Sequence, residues 1–221
     1  MTGLLIFDLD GTLVDTAPDL VGTLNWVLQE QGIGTVPLEQ ARNFIGQGAR
    51  AMLKMGFNTR GISLSGDQLE THVAQFLEHY QANISQNSRP FPGVLDAMNR
   101  FSSAGWQLAV CTNKLEHLAV KLLNELDLAQ RFSIITGGDT FEKAKPDPTP
   151  ILGTMSKLNS SADEAIMVGD ARPDIDGARN AGIPSIAVDF GYTTEPVASL
   201  NPDRIISHFD DLWDSVHNIR A

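Results

Sequence analysis

Leu4-Leu5-Ile6-Phe7-Asp8-Leu9-Asp10-Gly11-Thr12 is the stretch on which the fold turns. Its first four residues are apolar without alternation, the pattern of a strand buried on both faces of a parallel sheet, and the polar residues with Gly11 end it in a loop. Further runs of the same kind are Gln107 to Cys111, Ser133 to Thr136, Ala165 to Val168 and Ser185 to Val188. Between them, Val94 to Phe101, Leu115 to Leu126, Ile151 to Leu158 and Ile175 to Ala181 carry apolar residues at helical spacing, several followed by Gly or Asn. Strand and helix alternate, which predicts an α/β fold with a Rossmann-like, mostly parallel core, right-handed crossovers and helices on both faces.

One stretch breaks the alternation. From Thr16 to Ser88 there is no strand pattern but several helical ones, so a small α-helical domain (16–88) is expected as an insertion into a core made of 1–15 and 89–221. Pro18 suits a first helical turn, Leu20, Val21, Leu24, Val27 and Leu28 form one face, and Gly32 closes it. Ser65 is the expected N-cap of a second long helix through Leu69, Val73, Phe76, Leu77 and Tyr80, and Pro90-Phe91-Pro92-Gly93 marks the return to the core.

The chain of 221 residues, 42% hydrophobic and 19% charged, reads as folded throughout, with disorder expected at most at the tail. Its formal charge of -11 opposes nucleic acid and anionic membrane surfaces. The first apolar run is cut by Asp8, too early for a signal peptide, and nothing approaches the ~18 apolar residues of a membrane span, so a soluble cytoplasmic protein is expected. Cys111, the single cysteine, excludes an internal disulfide and suits a reducing compartment; at the end of an apolar strand it reads as a packed thiol. His72 and His79, seven apart on one helix, read as surface or packing positions.

Ligands of open parallel sheets bind beyond the carboxyl ends of the strands. There the sequence places Asp8 and Asp10, then Thr112, Asn113 and Lys114, then Lys145, then Gly169, Asp170 and Asp174. Four carboxylates converging on one site either raise one another's pKa or require a cation, and hard oxygen donors suit Mg2+. Singly each residue has a plainer explanation: Asp8 and Asp10 as turn formers, Asp170 as a helix cap, Lys145 interchangeable with nearby Lys143. The combination in order is what points to a site.

Asp8-Leu9-Asp10-Gly11-Thr12 resembles the D-x-D-G-T motif of the haloacid dehalogenase superfamily, and Thr112, Lys145 before Pro146, and Gly169-Asp170 with Asp174 match its other three motifs in order. The resemblance spans essentially the whole chain and includes the position of a type 1 helical cap between the first two motifs. It implies a phosphatase in which Asp8 is the nucleophile, Asp10 protonates the leaving alcohol and then activates water, and Asp8, the Asp10 carbonyl and Asp170 hold Mg2+. Thr112 would donate to a phosphoryl oxygen and Lys145 would compensate its charge, with Asp174 orienting Lys145 or a metal-bound water. Gly11, Thr12 and Asn113 would line the substrate site.

Asp15-Thr16-Ala17-Pro18-Asp19-Leu20 brings the pattern nearest to phosphoglycolate phosphatases. The expected ligand is therefore a small phosphorylated metabolite, acted on by a monomer or homodimer. Phosphatases of N-acetylmuramate 6-phosphate, sugar phosphates, nucleotides or pyrophosphate, a beta-phosphoglucomutase-like mutase and a non-enzymatic phospho-switch are the alternatives; Asp10 argues against a dehalogenase. Ile45-Gly46-Gln47-Gly48-Ala49-Arg50 has two readings: a flexible segment making Gln47 and Arg50 substrate contacts, or a tight helix connection with a solvated arginine. Arg172 is either near the phosphate or simply exposed. Closure of the cap would hinge near Thr16 and Ser88 to Pro90.

Overall fold

The structure is a computed structural model describing residues 3–42, 44–46 and 48–219. Two compact units divide the chain: Met1–Asp15 with Pro90–Ala221, and Thr16–Arg89. In the first unit the strands are β1 (Leu4–Phe7), β2 (Val14–Asp15), β3 (Arg89–Pro90, straddling the boundary), β4 (Gln107–Cys111), β5 (Ile134–Thr136), β6 (Ala165–Gly169), β7 (Ser185–Val188) and β8 (Arg204–Ile206). Six of them form a sheet of order β5-β4-β1-β6-β7-β8, parallel at every pairing.

β1 lies at the centre, with Leu4 to Phe7 in register with Gln107 to Val110 on one side and Ala165 to Val168 on the other. The four residues are at most 1% exposed, as an unalternating apolar run requires. Leu4 and Ile6 pack with Ala109, Ile151, Met155, Met167 and Ala178, drawn from neighbouring strands and from α7 (Thr149–Lys157) and α8 (Arg172–Ala181). Pleating sends Leu5 and Phe7 to the opposite face, where they are equally buried. α5 (Val94–Ser103), α6 (Glu116–Glu125) and α9 (Leu212–Ile219) complete the unit. The chain steps outward from β1 to β4 and β5, then crosses back to β6, so the strand order reverses around β1 and opens a crevice at its carboxyl end.

The sequence reading missed β8 and α9. The segment anticipated as a tail is helical to Ile219, with Leu212 and Val216 buried. The predicted strand from Ser133 begins at Ile134. Cys111 is buried in the apolar cluster and its thiol is pushed up by burial, the behaviour of a packed residue.

The second unit holds α1 (Ala17–Glu30), α2 (Leu38–Arg42), α3 (Ala49–Asn58) and α4 (Gly66–Ala82). Ser65 caps α4 in a reciprocal pair with Gln68, and Gly32 follows α1 at φ +69°. α2 and α3 were not anticipated. His72 stacks on Phe57 and His79 on Trp26, both packing roles. Asp19, 6% exposed, accepts from the backbone N–H groups of Asn87 and Ser88, the Asn87 amide and the Ser88 hydroxyl at 2.7–3.0 Å, tying the start of α1 to the segment that leaves the unit. Asp19→Ala strands the buried Ser88 N–H and hydroxyl and is expected to cost about 2–4 kcal/mol. A chemical-denaturation midpoint equal to that of the unaltered protein would refute this. Among the described residues, no helix is long and apolar enough to cross a membrane.

Candidate active site

Asp8 follows β1 directly, and its backbone N–H extends the sheet by donating to the Val168 carbonyl at 2.9 Å. Its carboxylate accepts from Lys145 Nζ at 2.8 Å, and the same ammonium donates to Asp174 at 2.6 Å and to the Cys111 carbonyl. The Lys145 side chain is 1% exposed, and an ammonium so buried persists only with partners of this kind. Burial presses its pKa down, but the charges of Asp174 and Asp8 outweigh that and the net shift is upward, so the group stays charged. Lys143, by contrast, is exposed and pairs with Asp147 at 3.0 Å, which separates the two lysines.

Asp170 follows β6 and accepts from the Thr12 hydroxyl at 3.0 Å and the Tyr192 backbone N–H at 2.8 Å. Asp174, in the first turn of α8, turns its second oxygen to the backbone N–H groups of Asp170 and Ala171 at 3.2 and 3.1 Å. The helix start is therefore satisfied by Asp174, and the reading of Asp170 as its cap is corrected. Oxygens of Asp8, Asp170 and Asp174 lie within 4.8 Å of one another, all three residues buried. Burial drives Asp8 up to about 6 against the pull of Lys145, with Asp174 adding to the rise. Burial also carries Asp170 well above the usual carboxylate range, reinforced by Asp174 and Asp8. Three buried carboxylates, two of them on one ammonium, form a hard-oxygen set that fits a small divalent cation.

Gly11 makes the close approach possible. Its φ is +86°, and a Cβ there would sit 2.7 Å from an Asp170 carboxylate oxygen. Its N–H donates to the Val14 carbonyl at 3.0 Å, closing the turn that carries Asp10.

Of the four carboxylates expected to converge, Asp10 stands apart. Both its oxygens accept from Lys114 Nζ, at 2.9 and 3.0 Å. Thr112 is buried at the end of β4. Asn113 uses its amide at both ends on Lys145, donating to its carbonyl and accepting from its N–H at 2.9 Å each, so it holds the lysine's backbone. Thr12 is buried against Asp170. Gln47 lies outside the described residues. Arg50 is 54% exposed in α3 and paired with Glu70 through two guanidinium nitrogens. Arg172 is exposed and bound to Glu195 and Asp176.

Two contributors had no role in the sequence reading. Lys114 was visible as a basic residue two places after Thr112. Tyr192 acts through its backbone N–H on Asp170 and its hydroxyl on Asp15 at 2.6 Å, and a main-chain donor leaves no mark in a side-chain pattern.

The sequence model of the haloacid dehalogenase-like hydrolase family matches residues 5–188. The chain belongs to that family. This haloacid dehalogenase-like hydrolase is 46% identical over 209 residues to a phosphoglycolate phosphatase of Agrobacterium fabrum, covering 95% of this chain and 90% of the relative. It is 42% identical over 208 residues to one of Caulobacter vibrioides, covering 94% and 88%. A crystal structure from Haemophilus somnus 129PT, described as a predicted phosphoglycolate phosphatase, superposes with a TM-score of 0.90 at 28% identity, covering 96% of this chain and 97% of that one.

Proposed function

We propose that this hydrolase cleaves a small phosphate monoester of the phosphoglycolate type, depends on magnesium and works through an aspartyl-phosphate at Asp8. The observation that carries the reading is Lys145, which bridges Asp8 and Asp174 while Asp170 lies within the same 4.8 Å group. A nucleophilic carboxylate attacking a phosphate dianion needs positive charge beside it, and Lys145 provides a fixed share. Asp8, the Asp10 carbonyl and Asp170 would hold magnesium, which when bound neutralises charge between carboxylate and phosphoryl group.

In the first half-reaction an Asp8 oxygen forms the bond to phosphorus as the bond to the leaving oxygen breaks, and Asp10 delivers a proton to that oxygen. In the second, Asp10 takes a proton from the water that attacks phosphorus, and Asp8 is released. Covalent catalysis divides one difficult displacement into two. Thr112 would donate to a phosphoryl oxygen, Gly11 and Thr12 would border the substrate, Asn113 would keep Lys145 in place, and Asp174 would orient Lys145. Residues 16–88 are taken as a cap domain on a core of 1–15 and 89–221, with Gln47 and Arg50 as candidate substrate contacts. The names of the relatives and Asp15 to Leu20 favour phosphoglycolate among the esters.

The test is phosphate release from phosphoglycolate, N-acetylmuramate 6-phosphate, hexose phosphates and nucleotides, with magnesium and with chelator. Preference for phosphoglycolate, lost on chelation, is expected. Equal rates across the panel would overturn the substrate, and undiminished release with chelator would overturn the metal.

A further inference from the structure

Two lysines serve the site, one buried and one partly buried, and they divide it. Lys145 is taken up by Asp8, Asp174 and the Cys111 carbonyl. Lys114 reaches both oxygens of Asp10, with side chains only 6% and 15% exposed for the lysine and aspartate. A lysine loses much rotamer freedom when held this way, so its backbone must be fixed for the reach to succeed. That condition is met: the Lys114 N–H donates to Thr112 Oγ1 at 3.3 Å, and its carbonyl accepts from the Gly138 N–H at 2.8 Å. Gly138 can approach because it lacks a side chain, since a Cβ there would lie 2.4 Å from the Asn113 carbonyl oxygen.

We propose that Lys114 is a positioning residue for the leaving-group step: it fixes the Asp10 carboxylate where that group meets the ester oxygen. The inference rests on the phosphatase reading above. As the Asp8 oxygen bonds to phosphorus and the ester P–O bond breaks, the departing oxygen takes its proton from Asp10, and Lys114 decides whether Asp10 is aimed to give it. Proton delivery from a positioned acid contributes about 100-fold or more, and only where the leaving oxygen is too basic to depart alone. Lys114 therefore matters in proportion to the basicity of the leaving group.

The experiment is single-turnover release of the alcohol, with enzyme in excess, from an alkyl phosphate and from p-nitrophenyl phosphate. Lys114→Met is expected to slow the alkyl ester about 100-fold and the aryl ester under about 10-fold. Lys114→Arg, retaining a cation, is expected to recover about tenfold on the alkyl ester while keeping the same bias; it also serves if Lys114→Met does not fold. In an Asp10→Asn background the effect of Lys114→Met should shrink to about threefold or less, because the two residues act as one unit. Equal losses on both esters, or an undiminished loss beside Asn at position 10, overturns the proposal. Failure of the unaltered protein to release either alcohol overturns the phosphatase reading itself.

Discussion

Asp8→Asn is expected to abolish turnover and, at the same time, to raise the melting temperature of the metal-free protein at neutral pH. The first effect follows from removing the proposed nucleophile, and a loss of about 10⁴-fold or more is the scale for removing such a group. The second follows from the carboxylate's position. Burial raises Asp8 from 3.8 to about 6 in the fold, so between those values the folded state holds a proton that the unfolded chain releases. The associated stability is fully present below about 4 and is lost as pH rises through 6; at pH 7–8 the ionised carboxylate opposes folding by on the order of 2–3 kcal/mol. An asparagine carries no such cost. The gain in melting temperature should therefore be several degrees at pH 8 and small at pH 4, and magnesium should stabilise the unaltered protein more than the variant. A variant that retains activity removes Asp8 as nucleophile, and a variant that melts lower at pH 8 refutes the account of its burial.

Lys145→Met should act in the opposite direction. It keeps the volume but leaves Asp8 and Asp174 facing one another without their shared ammonium, and removing one partner of a buried pair costs about 3–5 kcal/mol. Asp8 would then hold its proton more tightly in the fold, so the loss is smallest at acid pH and grows as pH rises. Melting curves at pH 5 and 8 measure this, and a pH-independent deficit would show that packing alone is at stake. Phosphate release should fall with stability restored by low temperature, because the fixed cation proposed to face the phosphoryl group is gone.

The core strands were legible because burial on both faces forces an unbroken apolar run: β1, β4 and β7 have the predicted bounds. β8 was not legible; Arg204-Ile205-Ile206 is a three-residue edge strand with one buried side chain, too short to announce a period. α3 was hidden by the glycines that precede it, since Gly46 and Gly48 read as a loop and both take positive φ. At the site, Asp8, Asp170, Asp174 and Lys145 were named from spacing and stand together in the structure, because loops at neighbouring strand ends must meet. The pairing of Asp10 with Lys114 was not, since two residues 104 apart give no local signal of a shared contact.

The strand order also bears on how the molecule is made. β1 is the earliest strand of the sheet, yet its two partners begin at Gln107 and Ala165. During synthesis a run of four apolar residues therefore waits with both edges open while nearly half the chain is added, and non-local parallel pairing is slow to form. The grouping of Asp8, Asp170 and Asp174 is complete only once β6 and the start of α8 have joined, so no truncated nascent chain can hold the site. The proposed chemistry arrives late in the life of the polypeptide, and the earliest strand of the sheet is the one most in need of protection from aggregation until then.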